Sequence, residues 1–229
     1  SRKNPPTRSR RKRKVPRRLR HVPLNPVRIM PDYALENAAG GVVAGVDEAG
    51  RGPWAGPVVA GAAILDLSKM PAVLVAKLDD SKRLSAATRE LLFAGLQASA
   101  TTSVGIASVA EIDRLNILAA TMLAMQRAVA GLSLSPDLVL VDGNRSPVLD
   151  YPVQTVVKGD SRSFSIAAAS IMAKVTRDRM MAKLAREFPG YGWETNQGYG
   201  TAGHRDGLDR LGVTVHHRRS FKPVASRLK

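Results

Sequence analysis

The chain predicts an α/β domain: a mixed five-stranded sheet flanked by helices, with a helical region at the C-terminal end. Three observations carry this expectation. Two apolar, β-branched runs, 41–47 and 57–65, are joined by a short glycine-rich connection, which calls for an antiparallel hairpin. Beyond them strand-like and helix-like segments alternate, so that later strands can lie parallel. A length of 229 residues with 44% hydrophobic content is enough to bury one core.

Residues 1–40 are basic and proline-rich and are expected to be a disordered tail. The domain proper is assigned to 41–224, with 225–229 as a short C-terminal tail. The first strand, 41–47 (G-V-V-A-G-V-D), closes on acids, and after a glycine-rich turn comes the second. Ser85 is placed as N-cap of a helix through Leu91, Leu92 and Leu96, and 102–109 alternates like a third strand. Ser108 and Glu111 have capping-box spacing and open a long periodic segment, Ile112, Leu115, Leu118, Met122, Met125 and Val129, stopped by Gly131. Residues 138–142 (L-V-L-V-D) and 152–158 read as the fourth and fifth strands. A long helix over 164–188 presents a small-residue face and ends at Pro189-Gly190.

Charge and cysteine usage bound the chemistry. Lys and Arg number 35 against 19 Asp and Glu, a formal charge of +16, but residues 1–31 carry +12 of it and no acid. The remainder is only mildly basic. The tail reads as a non-specific polyanion-binding arm or as a plain solvated extension; its prolines argue against an amphipathic targeting helix. The absence of cysteine excludes a disulfide framework, a thiolate zinc site and a cysteine nucleophile, and fits a reducing, cytoplasmic setting. No apolar run reaches the roughly 18 residues a membrane helix needs.

Four acids stand out: Asp47 and Glu48 after the first strand, Asp142 before Gly143, and Asp160 ahead of the long helix. A carboxylate that closes an apolar run is costly unless paired or coordinating a cation. Hard oxygen donors without His or Cys nearby select Mg²⁺ or Mn²⁺, and four carboxylates suffice for two such ions. Each acid taken singly could instead be a turn or cap residue. Neighbours on a strand point to opposite faces, so for Asp47 and Glu48 to share a site the strand must kink, with Ala49-Gly50 the available place.

Gly50-Arg51-Gly52 is not a dinucleotide-binding loop, because Pro53, Pro57 and a β-branched run follow where a helix is required. Its glycines still permit close approach of backbone to a ligand. Asp80-Ser81-Lys82-Arg83 suits contact with a phosphate, and Tyr199, within Gly198-Tyr199-Gly200-Thr201, could stack on a sugar or base. His204, His216, His217, Arg218 and Arg219 receive no chemistry from sequence. Serine-hydrolase elbow, zincin and Walker A patterns are absent.

Taken in order, Gly45-Val46-Asp47-Glu48-Ala49-Gly50-Arg51-Gly52-Pro53, Asp80-Ser81-Lys82, Val141-Asp142-Gly143, Lys158-Gly159-Asp160, Ala167-Ala168-Ala169-Ser170-Ile171 with Lys174-Val175-Thr176-Arg177-Asp178, and Gly198-Tyr199-Gly200-Thr201 resemble the bacterial type 2 ribonucleases H. The resemblance runs from about residue 42 to 223. It implies a ribonuclease H-like fold and an endonuclease that cuts the RNA strand of RNA–DNA hybrids and nicks duplex DNA 5′ of a single embedded ribonucleotide, leaving 3′-hydroxyl and 5′-phosphate ends; separately, a monomer is expected. It further implies that Asp47, Glu48, Asp142 and Asp160 bind two Mn²⁺ or Mg²⁺ ions, and that Gly50, Arg51 and Gly52 read the ribose 2′-hydroxyl. Tyr199 is implied to pack on the sugar at the RNA-to-DNA junction, and Lys82 to lie near backbone phosphate. Gln197 departs from the family, where a lysine is frequent. The competing readings are a non-catalytic basic RNA-binding protein and a metal-dependent nuclease of different substrate.

Overall fold

The computed structural model describes residues 30–228; most of the expected basic arm lies outside the described residues. The strands are β1 (Val43–Ala49), β2 (Val58–Ile64), β3 (Thr101–Ala107), β4 (Leu138–Asp142) and β5 (Val153–Val156). They form one sheet in the order β3-β2-β1-β4-β5. The β1–β2 and β2–β3 pairs are antiparallel, while β1–β4 and β4–β5 are parallel. The helices are α1 (Ala34–Ala39), α2 (Ala72–Val75), α3 (Ala86–Ser99), α4 (Val109–Leu115), α5 (Ile117–Ala130), α6 (Phe164–Glu187), α7 (Trp193–Asn196), α8 (Ala202–Leu211) and α9 (Lys222–Ala225). The mixed sheet, its flanking helices and the helical C-terminal region are those the sequence predicts.

Strand alternation sorts the core onto two faces. Ala44, Val46, Val58, Ala60, Ala62 and Ile64 pack with Ile112, Ala124, Met125 and Val129 of α4 and α5. On the other face stand Gly45 and Gly61, where an added Cβ would lie 2.1 Å from the Ser165 carbonyl carbon and 2.2 Å from the Ala169 oxygen. The long helix α6 therefore rests directly on the backbone of β1 and β2, its alanine face buried. Leu92, Phe93 and Leu96 of α3 pack against Ile171, Met172 and Val175 of α6.

Two boundaries differ from expectation. Residues 34–39, assigned to the disordered tail, form α1, whose Glu36 is buried and accepts from Ser163 Oγ at 2.6 Å and Ser165 N at 2.9 Å. Tyr33 Oη donates to Leu65 O at 2.7 Å, so residues just ahead of and within α1 are tied to the domain. Near the other terminus, Arg227 pairs with Asp209 at 2.6 Å, which fastens the short C-terminal tail to α8. The periodic segment 108–131 is also two helices rather than one. Asn116 takes a left-handed conformation (φ 70°) and its Oδ1 accepts from Leu118 N and Ala119 N, so it stops α4 and caps α5. The apolar spacing continues across this break and hides it.

Candidate active site

Parallel pairing between β1 and β4 ends at Val46↔Val141, so Asp47, still within β1, and Asp142, the last residue of β4, come next on the two neighbouring strands. Together with Glu48 they line a cleft of about 270 Å³. Asp142 Oδ1 accepts from Gly159 N at 2.6 Å, drawing in the turn Gly159–Ser161 that carries Asp160 to the start of α6. Asp160 is not in the cleft lining but contacts Lys82 Nζ at 3.5 Å through Oδ2. β1 stays regularly paired through Ala49↔Val59, and the chain turns only at Gly50 (φ 96°). The expected kink is thus not what unites Asp47 and Glu48. Both line the cleft from within the last three residues of β1, with Asp47 buried and Glu48 half-buried and held to Arg51 Nη1 at 3.3 Å.

The electrostatics of these acids are unfavourable without a cation. Burial pushes the Asp47 carboxyl well above the usual carboxylate range, and the charges of Glu48 and Asp142 push it further; the Glu48 N–H and Lys82 oppose this. Burial also raises Glu48, against Arg51, and raises Asp160, with Asp80 adding and Lys82 opposing. Burial alone would lower Lys82, but Asp47, Asp160 and Asp80 outweigh it and hold the ammonium up. The donor set is hard oxygen throughout, which fits Mg²⁺ or Mn²⁺. Among the described residues no three Asp, Glu or His side chains are gathered tightly enough to hold an ion as they stand. Oδ1 of Asp47 and Oδ1 of Asp142 each accept from a backbone N–H, which leaves Oδ2 of each carboxylate available to a cation.

The Gly50-Arg51-Gly52 turn forms another wall of the cleft, and Tyr199 stands across from it, half-exposed. Glycine is required at 50 twice over: φ is +96°, and a Cβ would meet Arg177 Nε at 2.0 Å. A Cβ on Gly52 would come within 3.2 Å of the Tyr199 ring. Arg177, buried in α6, donates to the carbonyls of Pro57, Gln197 and Ala55, tying the hairpin connection to the Tyr199 loop. Gln197 is left-handed (φ 51°), and its backbone carbonyl is one of these acceptors. Sequence reasoning placed Arg177 in a motif without a role, and nothing in sequence distinguishes a buried arginine from a solvated one. Lys174 and Ser170 of α6 also line the cleft, Lys174 paired with Asp178 at 2.7 Å.

The histidines without assigned chemistry are largely structural. His204 Nδ1 lies 3.0 Å from Tyr199 O and must donate to it, leaving Nε2 to accept from Trp193 Nε1 at 3.1 Å. His217 Nδ1 accepts from Thr214 N, so its Nε2 donates to His204 Nε2 at 3.0 Å. This tautomer assignment makes both rings neutral. Burial lowers both, His217 to about 3 with His204 and His216 adding. The unfolded chain protonates near 6.5 and the folded His217 near 3, so the unfolded state binds the extra proton between those values. The His217 contribution to stability is then full above about pH 6.5 and is lost as pH drops toward 3, by no more than ~1.4 kcal/mol per unit. In urea unfolding, the stability lead of the wild type over His217→Gln is expected to shrink between pH 7.5 and 5. A lead that does not change with pH contradicts the neutral pair.

Residues 44–224 match the family model described as Ribonuclease HII. The chain is 61% identical over 201 residues to a Ribonuclease HII of Rhodospirillum rubrum, spanning 87% of this chain and 92% of that one. It is 60% identical over 196 residues to one from Paramagnetospirillum magneticum, with 86% and 98% covered. Among solved structures, the ribonuclease H2 of Pyrococcus horikoshii superimposes with TM-score 0.68 at 28% identity, covering 81% of this chain and 96% of that one. The matched span, residues 44–224, contains the acidic cleft and the glycine turn, and the chain belongs to the ribonuclease HII family, metal-dependent endonucleases of the ribonuclease H class that act on RNA–DNA hybrids.

Proposed function

We propose that this protein hydrolyses the RNA strand of RNA–DNA hybrids and nicks duplex DNA 5′ of a single embedded ribonucleotide, leaving 3′-hydroxyl and 5′-phosphate. The observation that carries the reading is Asp47: a carboxylate buried within the last three residues of β1, raised by burial and by Glu48 and Asp142, in a cleft also lined by the Gly50-Arg51-Gly52 turn. Asp47, Glu48, Asp142 and Asp160 would hold two divalent ions, Mn²⁺ or Mg²⁺. Once bound, the pair supplies a more acidic attacking water and stabilises charge on the departing 3′ oxygen. Lys82, largely exposed and anchored on Asp160, places a positive charge for a backbone phosphate. Gly50, Arg51 and Gly52 bring main-chain groups to the ribose, where the 2′-hydroxyl is the one group that separates a lone ribonucleotide from its DNA neighbours. Tyr199 supplies a ring for the adjoining sugar. The protein is taken to act as a monomer, and no described helix is long and apolar enough to cross a membrane.

Three duplexes of one sequence test this in Mn²⁺ or Mg²⁺: an RNA–DNA hybrid, all DNA, and DNA with one ribonucleotide. Cleavage of the first and third, with none of the second, is expected; cutting of all-DNA duplex would favour a nuclease of different substrate. Tyr199→Ala is expected to slow cleavage at the lone ribonucleotide by roughly 10- to 100-fold, the worth of one lost stack. An unchanged rate would reduce the ring to packing.

A further inference from the structure

Arg218 carries a charge in a place where a charge is expensive. It is fully buried, and burial, with Arg177 nearby, lowers it to about 9. Its guanidinium is satisfied by four backbone carbonyls: Nε donates to Gly56 O at 2.9 Å, Nη1 to Arg51 O at 2.9 Å, and Nη2 to Gly50 O at 2.5 Å and Pro57 O at 3.1 Å. Two of these carbonyls belong to the glycine turn of the cleft, which Arg218 itself does not line.

The consequence follows from peptide geometry. Peptide bonds here are trans, so the carbonyl of one residue and the N–H of the next point in opposite directions. Drawing the Gly50 and Arg51 carbonyls inward onto Arg218 turns the N–H groups of Arg51 and Gly52 away from it. Among the described residues neither N–H has a backbone or side-chain acceptor. Two parallel donors are left for a ligand oxygen on the open side of the turn.

We infer that Arg218 is a positioning residue for ribonucleotide selection: it fixes the polarity of the two peptide planes so that the Arg51 and Gly52 N–H groups meet the ribose 2′-hydroxyl. The inference rests on the substrate reading above. Arginine suits the place because its planar fork spans all four carbonyls in a fixed geometry, while the lysine ammonium, with three rotatable donors on a flexible stem, holds fewer of them and less rigidly.

The test compares wild type, Arg218→Lys and Arg218→Gln on the single-ribonucleotide duplex in Mn²⁺, well below each protein's melting temperature. At least an about tenfold fall in kcat/KM is expected for Arg218→Gln, with Arg218→Lys between it and wild type. A folded Arg218→Gln with wild-type kcat/KM overturns the inference. A second measurement needs no variant: the ¹⁵N-amide signals of Arg51 and Gly52 in wild type, titrated in EDTA with single-ribonucleotide and all-DNA duplexes. Both amides are expected to shift with the ribonucleotide duplex and not with DNA. Equal shifts with both, or none, overturn the inference even if the variants do not fold. A wild type that cuts the two duplexes alike would instead defeat the substrate reading, which separates the two failures.

Discussion

Asp142→Asn is expected to abolish cutting of a duplex carrying one ribonucleotide while leaving binding in place. Asparagine keeps the size of the side chain and an oxygen that can still accept from Gly159 N, so the turn bearing Asp160 stays attached. What changes is one negative charge and one anionic oxygen beside Asp47. If that oxygen holds a catalytic ion, several kcal/mol of transition-state stabilisation goes with it. A loss of ~4 kcal/mol corresponds to roughly 10³-fold in rate. Duplex affinity, read by fluorescence anisotropy, is expected to hold or rise, since a carboxylate no longer faces the phosphates. Full activity in this variant would remove Asp142 from the metal assignment.

The second large effect is on stability. Gly45→Ala places a methyl 2.1 Å from the Ser165 carbonyl carbon and 2.3 Å from Ile166 N, backbone atoms that cannot step aside alone. The first turn of α6 must lift from β1, and overpacking of this kind costs about 1–3 kcal/mol or more. Because Asp160 sits just ahead of that turn and Asp47 two residues beyond Gly45, the same displacement separates two of the four acids. Thermal unfolding is expected to show a lowered melting temperature together with reduced cleavage. Gly203→Ala is the contrast: an exposed helical position with nothing within 4 Å of its Cβ, where alanine is expected to stabilise by about 0.5–1 kcal/mol. Equal effects at both positions would refute the close approach of α6 to the sheet.

Sequence revealed what is local or periodic. The β1–β2 hairpin, the Ser85 cap, the Ser108–Glu111 capping box and the stop after α6 each depend on a few adjacent residues, and each is present. The break at Asn116 escaped because the apolar spacing on either side of it happens to stay in phase. α1 escaped because a charged residue in a basic, proline-rich neighbourhood gives no hint that Ser163, 127 positions away, will receive its carboxylate. The four acids were legible as residues that close apolar runs, but their mutual electrostatics depend on strand order. Least visible was the support behind the cleft: Arg177 and Arg218 hold carbonyls more than a hundred positions away, and His204 and His217 pair only once the C-terminal segment folds back on itself. The non-catalytic binding-protein reading is set aside by the family match, since these relatives are nucleases.

The Glu36 carboxylate sets a limit on where the protein can be shortened. Removing the arginine-rich arm to ask what it does for nucleic-acid affinity is safe only while the cut stays upstream of Asp32, which bridges to Ser163. A cut after Glu36 would strip Ser163 and Ser165 of their shared acceptor at the foot of α6, one short turn from Asp160. Such a fragment would lose activity through a loosened start of α6 rather than through the missing arm, and the two causes would be read as one.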